Sequence, residues 1–206
     1  RSGEGRVTSQ LRSLEGEFLR TSSDERPSGL AGPAQLAAMD PQSGKLAVRW
    51  QAPGHQLSGL EFSAERLFLR TSSSELLAFR RAPGLAPDWR APLNTFWPLS
   101  PHLAVGKVFV CDGRAMQGEG WLLAFDAESG QKCWTQPTDG MLPHPLASHA
   151  DTLIFQNGKK QILALDAHTG AERWLLNVGQ LYTPPVAGGG RVYFVARGDV
   201  PKGAPG

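Results

Sequence analysis

The sequence has few cysteines and no long hydrophobic run. Its 206 residues include two cysteines, Cys111 and Cys133, whose spacing matches no metal-binding motif. The strand pattern places them two strands apart in one unit, roughly 10 Å from each other, which is too far for a disulfide. We therefore expect two packed free thiols. No apolar run approaches the roughly 20 residues that a membrane-spanning helix needs.

The sequence also lacks a strong charge of either sign and any sustained helical periodicity. Lys and Arg number 21 and Asp and Glu number 19, giving 21 − 19 = +2. No basic run is present, which argues against an electrostatic nucleic-acid-binding surface. Hydrophobic residues make up 40% and charged residues 19%, so we expect a folded globular protein. No signal peptide is visible, and the missing initiator Met leads us to expect a fragment or a trimmed chain.

The strongest pattern that is present is an internal repeat. Residues 122–134 (LLAFDAESGQKCW) and 162–174 (ILALDAHTGAERW) both read Ala-x-Asp-x-x-(Ser/Thr)-Gly-x-x-x-Trp, a strand, a tight turn and a strand. Turn glycines recur at separations of 40, 46 and 40 residues, at Gly44, Gly84, Gly130 and Gly170. A period of this length with four strands per unit predicts the blades of a β-propeller.

The repeats predict an all-β fold of four-stranded antiparallel blades, a partial propeller of about four and a half blades. We expect one domain, or part of one, over residues 1–206. The blades are expected at about 5–52, 53–93, 94–139, 140–179 and 180–206, the last without its third and fourth strands. In support, the hexapeptide FLRTSS occurs at 18–23 and again at 68–73.

The repeated residues have structural explanations. The Trp that begins each outer strand supplies a large apolar plate for the neighbouring blade, and the turn Asp and Gly satisfy backbone groups and tolerate positive φ. Replacing Trp134 or Trp174 by Ala should then cost roughly 3–5 kcal/mol, as for a buried Trp. The residues assigned to this role are Trp50, Trp89, Trp134, Trp174, Asp126, Asp166, Gly130 and Gly170.

The pattern at 124–134 and 164–174 resembles the tryptophan-docking repeat of the pyrroloquinoline-quinone (PQQ) β-propeller family. The copies at 38–50 and 78–89 are similar but longer, and Arg80 stands at the Asp position in one of them. Members of this family include quinoprotein alcohol dehydrogenases, an outer-membrane barrel-assembly scaffold lipoprotein and sensor domains of bacterial Ser/Thr kinases. The family usually has seven or eight blades, so the resemblance implies that further blades or chains complete the propeller.

The sequence offers little for quinoprotein catalysis. Bound PQQ needs a stacking floor, cationic partners and oxygen ligands for Ca²⁺, and the family's dehydrogenases carry a vicinal disulfide. No Cys-Cys pair is present, and turn chemistry explains Asp40, Asp126 and Asp166. We assign no catalytic residue, no metal site and no cofactor, since PQQ with Ca²⁺ is unsupported by this segment. A quinoprotein dehydrogenase fragment is retained as the second alternative function.

The inner strands supply weak candidates for a small-ligand contact. Aligning the units places equivalent residues at positions that would line a central channel, namely Thr8, Ser58, Leu99, His144 and Thr183. Trp97, His144 and Tyr182 are the channel candidates for ligand binding. The competing interpretation is that His144 is a solvated channel residue.

Two insertions between second and third strands are candidates for binding another protein. They are the Gly- and Pro-containing segments Asp24–Pro33 and Asp112–Gly120, which should project on one side of the propeller. Arg26, Arg114 and Trp121 are the expected contact residues, although ordinary surface loops explain these segments equally well.

We therefore expect a non-enzymatic scaffold that binds other proteins within a larger assembly. The resemblance places it in the bacterial cell envelope or periplasm, with a cytoplasmic location also open. The alternative is a domain that senses PQQ or another small molecule within a signalling protein such as a Ser/Thr kinase.

Overall fold

The computed structural model of the chain consists of β-strands, turns and connecting segments, with no helix in its described residues. Those residues are 7–14, 17–24, 34–40, 42–52, 57–81, 86–94, 99–114, 118–140 and 142–197. The chain divides into two compact units, Arg1–Pro101 and His102–Gly206.

The first unit contains two four-stranded sheets. The first sheet joins β1 (Val7–Leu14), β2 (Glu17–Asp24), β3 (Ala34–Met39) and β4 (Leu46–Ala52) in chain order. All three pairings are antiparallel, as expected for strands that follow one another through short connections.

The second sheet of this unit joins β5 (Leu57–Phe62), β6 (Arg66–Thr71), β7 (Glu75–Arg80) and β8 (Pro87–Pro92), again antiparallel and in chain order. Every residue of β6 is buried. A strand covered on both faces requires this continuous burial.

The second unit begins with a sheet of β9 (His102–Ala104), β10 (Lys107–Arg114), β11 (Glu119–Asp126) and β12 (Lys132–Pro137). The first strand is short, and the β10–β11 pair is the longest of the sheet, with eight paired positions.

The next sheet joins β13 (Ala147–His149), β14 (Thr152–Gln156), β15 (Gln161–Asp166) and β16 (Glu172–Asn177) in chain order. The β14–β15 hairpin turns through Asn157, whose side chain accepts from the backbone of residues 159 and 161. The two central strands are buried apart from their ends.

A two-stranded hairpin follows, formed by β17 (Val186–Gly188) and β18 (Arg191–Tyr193). It packs on the β13–β16 sheet, where Val192 and Phe194 join a core that includes Ile162 and Leu176. The second unit thus contains two complete sheets and half of another.

A β-bulge recurs between the third and fourth strands. In three sheets the register shifts directly after the motif alanine, at Ala78, Ala124 and Ala164. Each of these alanines pairs with the motif Trp, and the residue before the Trp falls outside the regular pairing. These unpaired bulge residues are Asp88, Cys133 and Arg173.

The first sheet accommodates its longer motif differently. Trp50 pairs with Leu36, and Ala38 pairs with Ala47, so the two extra residues move the Trp further from the turn. Both cysteines are free. Cys111 is buried, but Cys133 is exposed, and the expectation that both thiols are packed is wrong for Cys133 because it is a bulge residue on the outer strand.

Candidate functional site

The motif Trp of one sheet contacts the turn of the next sheet in the second unit. The Nε1 of Trp134 donates a hydrogen bond to the carbonyl oxygen of Ala167 at 3.2 Å. Its ring lies so close to Gly170 that a Cβ built there would be 2.9 Å from Cδ2. Phe109 packs on the same ring with centroids 5.6 Å apart. Gly170, at φ +76°, therefore serves both the turn and the inter-sheet contact.

The turn carboxylates cap their own turns. Asp166 Oδ1 accepts from the backbone N–H of His168 and Thr169, each at 2.9 Å, and Asp126 accepts from Ser129 in the same way. Hydrogen bonds from Ser129 hold the pKa of Asp126 below its usual range, because they stabilise the ionised form. These two carboxylates serve structure, as their spacing predicts.

Arg173 links the Asp166 turn to the preceding strand. Its guanidinium donates to both carboxylate oxygens of Asp151, at 2.8 and 2.7 Å, and to Asp166 Oδ2 at 2.6 Å. These bonds, together with the backbone N–H of Thr169, hold the pKa of Asp166 well below its usual range. The sequence did not single out Arg173, although its place before the motif Trp was visible.

The turn of the second sheet carries the same ion pair with the charges exchanged. Arg80 occupies the position of Asp166, and its Nε donates to Asp88 Oδ2 at 2.9 Å. Asp88 is the bulge residue that corresponds to Arg173. The same oxygen accepts from the buried Arg66 at 2.9 Å. Arg80 therefore does not mark a defective turn.

The four motif tryptophans are not buried alike. Trp50 makes an edge contact with Phe79 of the second sheet at 5.1 Å, and Trp89 packs on Phe68 of its own sheet at 5.9 Å. Trp50, Trp89 and Trp134 are half-buried, but Trp174 is 40% exposed. The expectation of a buried Trp174 is wrong, because no turn covers its ring within the described residues.

Three glycines allow the two sheets of the second unit to approach at one end. A Cβ on Gly120 would lie 2.0 Å from the carbonyl oxygen of Gly140, and a Cβ on Gly158 would lie 1.9 Å from that of Asp139. Hydrogen bonds from Thr138 N to Gly120 O and from Gly158 N to Thr138 O join the same segments. This contact was not predicted, because it depends on backbone distances between sheets.

The segment Asp112–Gly120 is mostly strand, which corrects the expectation of an inserted loop. Strands β10 and β11 stay paired through Asp112↔Trp121 and Gly113↔Gly120 to Arg114↔Glu119. We call residues 112–114 and 119–121 the hairpin extension. The Trp121 side chain is half-buried and Asp112 is buried. Residues 25–33, with Arg26, lie outside the described part of the chain.

The inner strands bring histidines into contacts between neighbouring segments. His102 Nε2 and Ser148 Oγ are 2.9 Å apart, and burial lowers the pKa of His102. His144 Nε2 donates to the carbonyl oxygen of Leu181 at 3.1 Å, so His144 joins β13 to the β17–β18 segment. Tyr182 is 61% exposed, and Trp97 lies outside the described residues.

Two searches of the described residues can be stated briefly. They contain no group of three or more His, Cys, Asp or Glu side chains placed to hold a metal ion. They also contain no helix long and apolar enough to cross a membrane.

Comparison with known proteins identifies the repeat. A family model described as outer membrane protein assembly factor BamB matches residues 118–202. That range includes β11–β18 and the best copy of the motif, together with most of the contacts described above. Comparison with curated protein sequences gives no significant match.

Similar solved structures extend the likeness to the whole fold. BamB from Moraxella catarrhalis is 17% identical with a TM-score of 0.56, over 94% of this chain and 68% of that chain. A europium-containing methanol dehydrogenase is 14% identical (TM-score 0.60; 94% and 48%). The quinohemoprotein alcohol dehydrogenase from Comamonas testosteroni is 15% identical (TM-score 0.63; 93% and 40%). The chain spans about half the length of these dehydrogenases or less, and the fold is a partial β-propeller, as the repeat predicts.

Proposed function

Because the chain belongs to the PQQ-like repeat β-propeller family, we propose that it is a non-enzymatic scaffold that binds other proteins in a larger assembly at the bacterial cell envelope. The match to a family described as an outer membrane protein assembly factor supports both the scaffold role and the location. Partner proteins and compartment are carried over by analogy with that family.

The observation that carries the proposal is the length of the β10–β11 hairpin. In the next sheet, the corresponding pairs run from Thr152↔Asp166 to Gln156↔Ile162. The β10–β11 hairpin has matching pairs and then three more, ending at Arg114↔Glu119. Since the core needs only the shared pairs, the hairpin extension is free to serve recognition.

The side chains of the extension suit a protein contact. Trp121 is half-buried, so part of its ring faces solvent, and Arg114 stands in the last paired position. Tryptophan and arginine are enriched among residues that dominate binding energy at interfaces. The Trp ring is held by strand pairing, which limits the entropy lost when a partner binds.

The polar groups nearby support a structural use over catalysis. Asp126 caps its turn, Asp166 caps its turn and binds Arg173, and His144 holds Leu181. Side chains engaged in this way are poorly placed to act as a general base or to bind Ca²⁺, because each would first have to give up a structural bond.

The test replaces the extension with the chain's own shorter turn. A variant with residues 112–121 exchanged for the sequence of residues 157–161 (NGKKQ) removes the three extra pairs. A photoreactive amino acid at position 114 should cross-link a partner in cell-envelope extract, and one at position 182 is the exposed control. We expect the shortened variant and Trp121→Ala to lose that partner. Equal binding by a folded shortened variant would contradict the proposal.

Ligand sensing is the second candidate, favoured by the likeness to two dehydrogenases and by the exposure of Tyr182 next to the residue that His144 binds. The chain has six tryptophans, so a quinone that binds should quench their fluorescence. Saturable quenching by micromolar PQQ, with or without Ca²⁺, would support this candidate, and a dye-linked alcohol oxidation assay would separate a sensor from a dehydrogenase. A flat titration on folded protein would exclude PQQ as the ligand.

A further inference from the structure

The exposed large hydrophobic side chains of the described residues are confined to the last part of the chain. They are Trp174, Leu175, Tyr182, Val186, Tyr193 and Val195. Exposed apolar side chains that are scattered singly carry little meaning, but a cluster on one side of a sheet indicates a surface for another protein.

Trp174 lies on the face of the β13–β16 sheet that the β17–β18 hairpin covers only in part. It pairs with Ala164 and so shares a face with Leu176, two residues further along β16. Val192 and Phe194 pack against Leu176 and the core beside it. The Trp174 ring extends beyond this cover and remains 40% exposed.

The β17–β18 hairpin also has an open edge. Strand β18 pairs with β17 on one side, and no strand in the described ranges pairs with its other side. The equivalent strand in the preceding sheet, β14, is paired on that side by β15. An open edge offers unpaired backbone N–H and C=O groups, to which an extended segment adds readily.

The chain itself shows what covers a motif Trp. Trp134 is covered by the turn between β15 and β16, with Gly170 under its ring and the Ala167 carbonyl accepting from its Nε1. By equivalence, the matching cover for Trp174 is a turn that follows a strand paired with β18. The open edge and the exposed ring therefore require the same object, a β-hairpin with an Asp-x-x-(Ser/Thr)-Gly turn.

We propose that the open edge of β18 and the exposed ring of Trp174 together form a binding site for a β-hairpin donated by a partner chain. The first strand of that hairpin pairs with β18, and its turn glycine lies under the Trp174 indole. A small residue faces Tyr193, as Ala164 faces Ile154 in the preceding sheet. The inference goes beyond the proposed function, because it uses neither the hairpin extension nor Trp121.

The repeat supplies its own probe. A synthetic peptide of residues 161–178 carries the required strand, turn and strand, and Trp174→Phe within the peptide leaves all tryptophan fluorescence to the protein. An isolated hairpin is marginally stable in water, so the peptide folds on binding at a cost in affinity. We expect saturable binding by calorimetry, with slower hydrogen exchange at the β18 amides.

Two protein variants test the role of the ring. Trp174→Ala should raise the Kd of the peptide about tenfold or more, as for a central aromatic contact. Leu175→Ala is the matched control, because Leu175 is 39% exposed but lies on the opposite face of the same strand; its Kd should change less than twofold. Trp174→Leu serves where the Ala variant does not fold.

Three outcomes would overturn the proposal. One is unchanged exchange of the β18 amides at saturating peptide. Another is equal affinity for the Trp174 and Leu175 variants. The third is protection of β18 without peptide that rises with protein concentration, which would assign the site to a second copy of the chain. Each leaves the proposed scaffold role intact, since cross-linking at position 114 measures a different surface.

Discussion

Arg80 and Asp88 form the same ion pair as Asp166 and Arg173, with the acid and the base exchanged. Arg80 Nε donates to Asp88 Oδ2 at 2.9 Å, and Arg173 donates to Asp166 Oδ2 at 2.6 Å. In both sheets one partner is the first turn residue and the other is the bulge residue before the motif Trp. The geometry of the repeat therefore holds a pair of opposite charges and not a particular residue type.

This exchange predicts unequal effects for the two partners in the second sheet. Arg80→Gln should lower the free energy of unfolding by less than about 1 kcal/mol, because Arg80 is largely exposed and such pairs contribute little. Asp88→Asn should cost more, about 2 kcal/mol, because it also weakens the bond to the buried Arg66. Urea unfolding of both variants checks this, and a larger loss for Arg80→Gln would contradict it.

The motif tryptophans should differ in their contribution to stability. Trp134→Ala should lower the free energy of unfolding by about 3 kcal/mol, because the ring packs on Phe109 and on the Gly170 turn. Trp174→Ala should cost about 1 kcal/mol, since much of its ring is already in water. Trp134→Phe keeps most of the packing and should lose about 1 kcal/mol with the indole hydrogen bond. Equal losses at Trp134 and Trp174 in thermal unfolding would show that the Trp134 contact contributes nothing beyond its strand.

The glycines at the end of the second unit should tolerate substitution only where space allows. Gly158→Ala places a Cβ 1.9 Å from the Asp139 carbonyl oxygen, so the backbones must separate, at a cost of about 3 kcal/mol. Gly188→Ala is the matched control, because a Cβ there meets nothing within 4 Å and neither glycine has a positive φ. The midpoints of thermal unfolding compare the two variants. A neutral Gly158→Ala would place the two backbones further apart than described.

Acid should destabilise the Asp166 turn through Arg173. The Arg173 guanidinium holds the pKa of Asp166 and of Asp151 below the usual value near 4. Because these folded-state pKa values are depressed, their contribution to stability is present above about pH 4 and is lost as the pH falls further. Arg173→Gln should therefore lose less unfolding free energy than the wild type between pH 5 and pH 2. Arg191→Gln, at an exposed arginine of β18, should follow the wild-type profile.

Local residue patterns were sufficient to predict the strands and turns. The motif at 122–134 predicted the β11–β12 pair, and Asp126 caps the turn as its type and spacing require. The same pattern predicted the role of Trp134. These features depend on neighbours within about ten residues, where alternation and turn chemistry act directly.

Features that depend on the neighbouring sheet were not predictable in this way. The glycines of Asp112–Gly120 resembled a loop, but Gly120 is small because the Gly140 carbonyl lies against it. Trp174 has the same local sequence as Trp134 and a different exposure, because a ring is buried only by what lies opposite. The partner of Arg80 was missed since a bulge places Asp88 beside it.

The recurring bulge gives the repeat one position that can vary without cost to the fold. Asp88, Cys133 and Arg173 occupy it in three sheets, as an acid, a thiol and a base. Because this residue stands outside the regular ladder, exchanging it moves no strand and shifts no register. The electrostatic pattern along the outer strands can therefore evolve independently of the architecture, so that proteins of the same fold can present different charge to different neighbours.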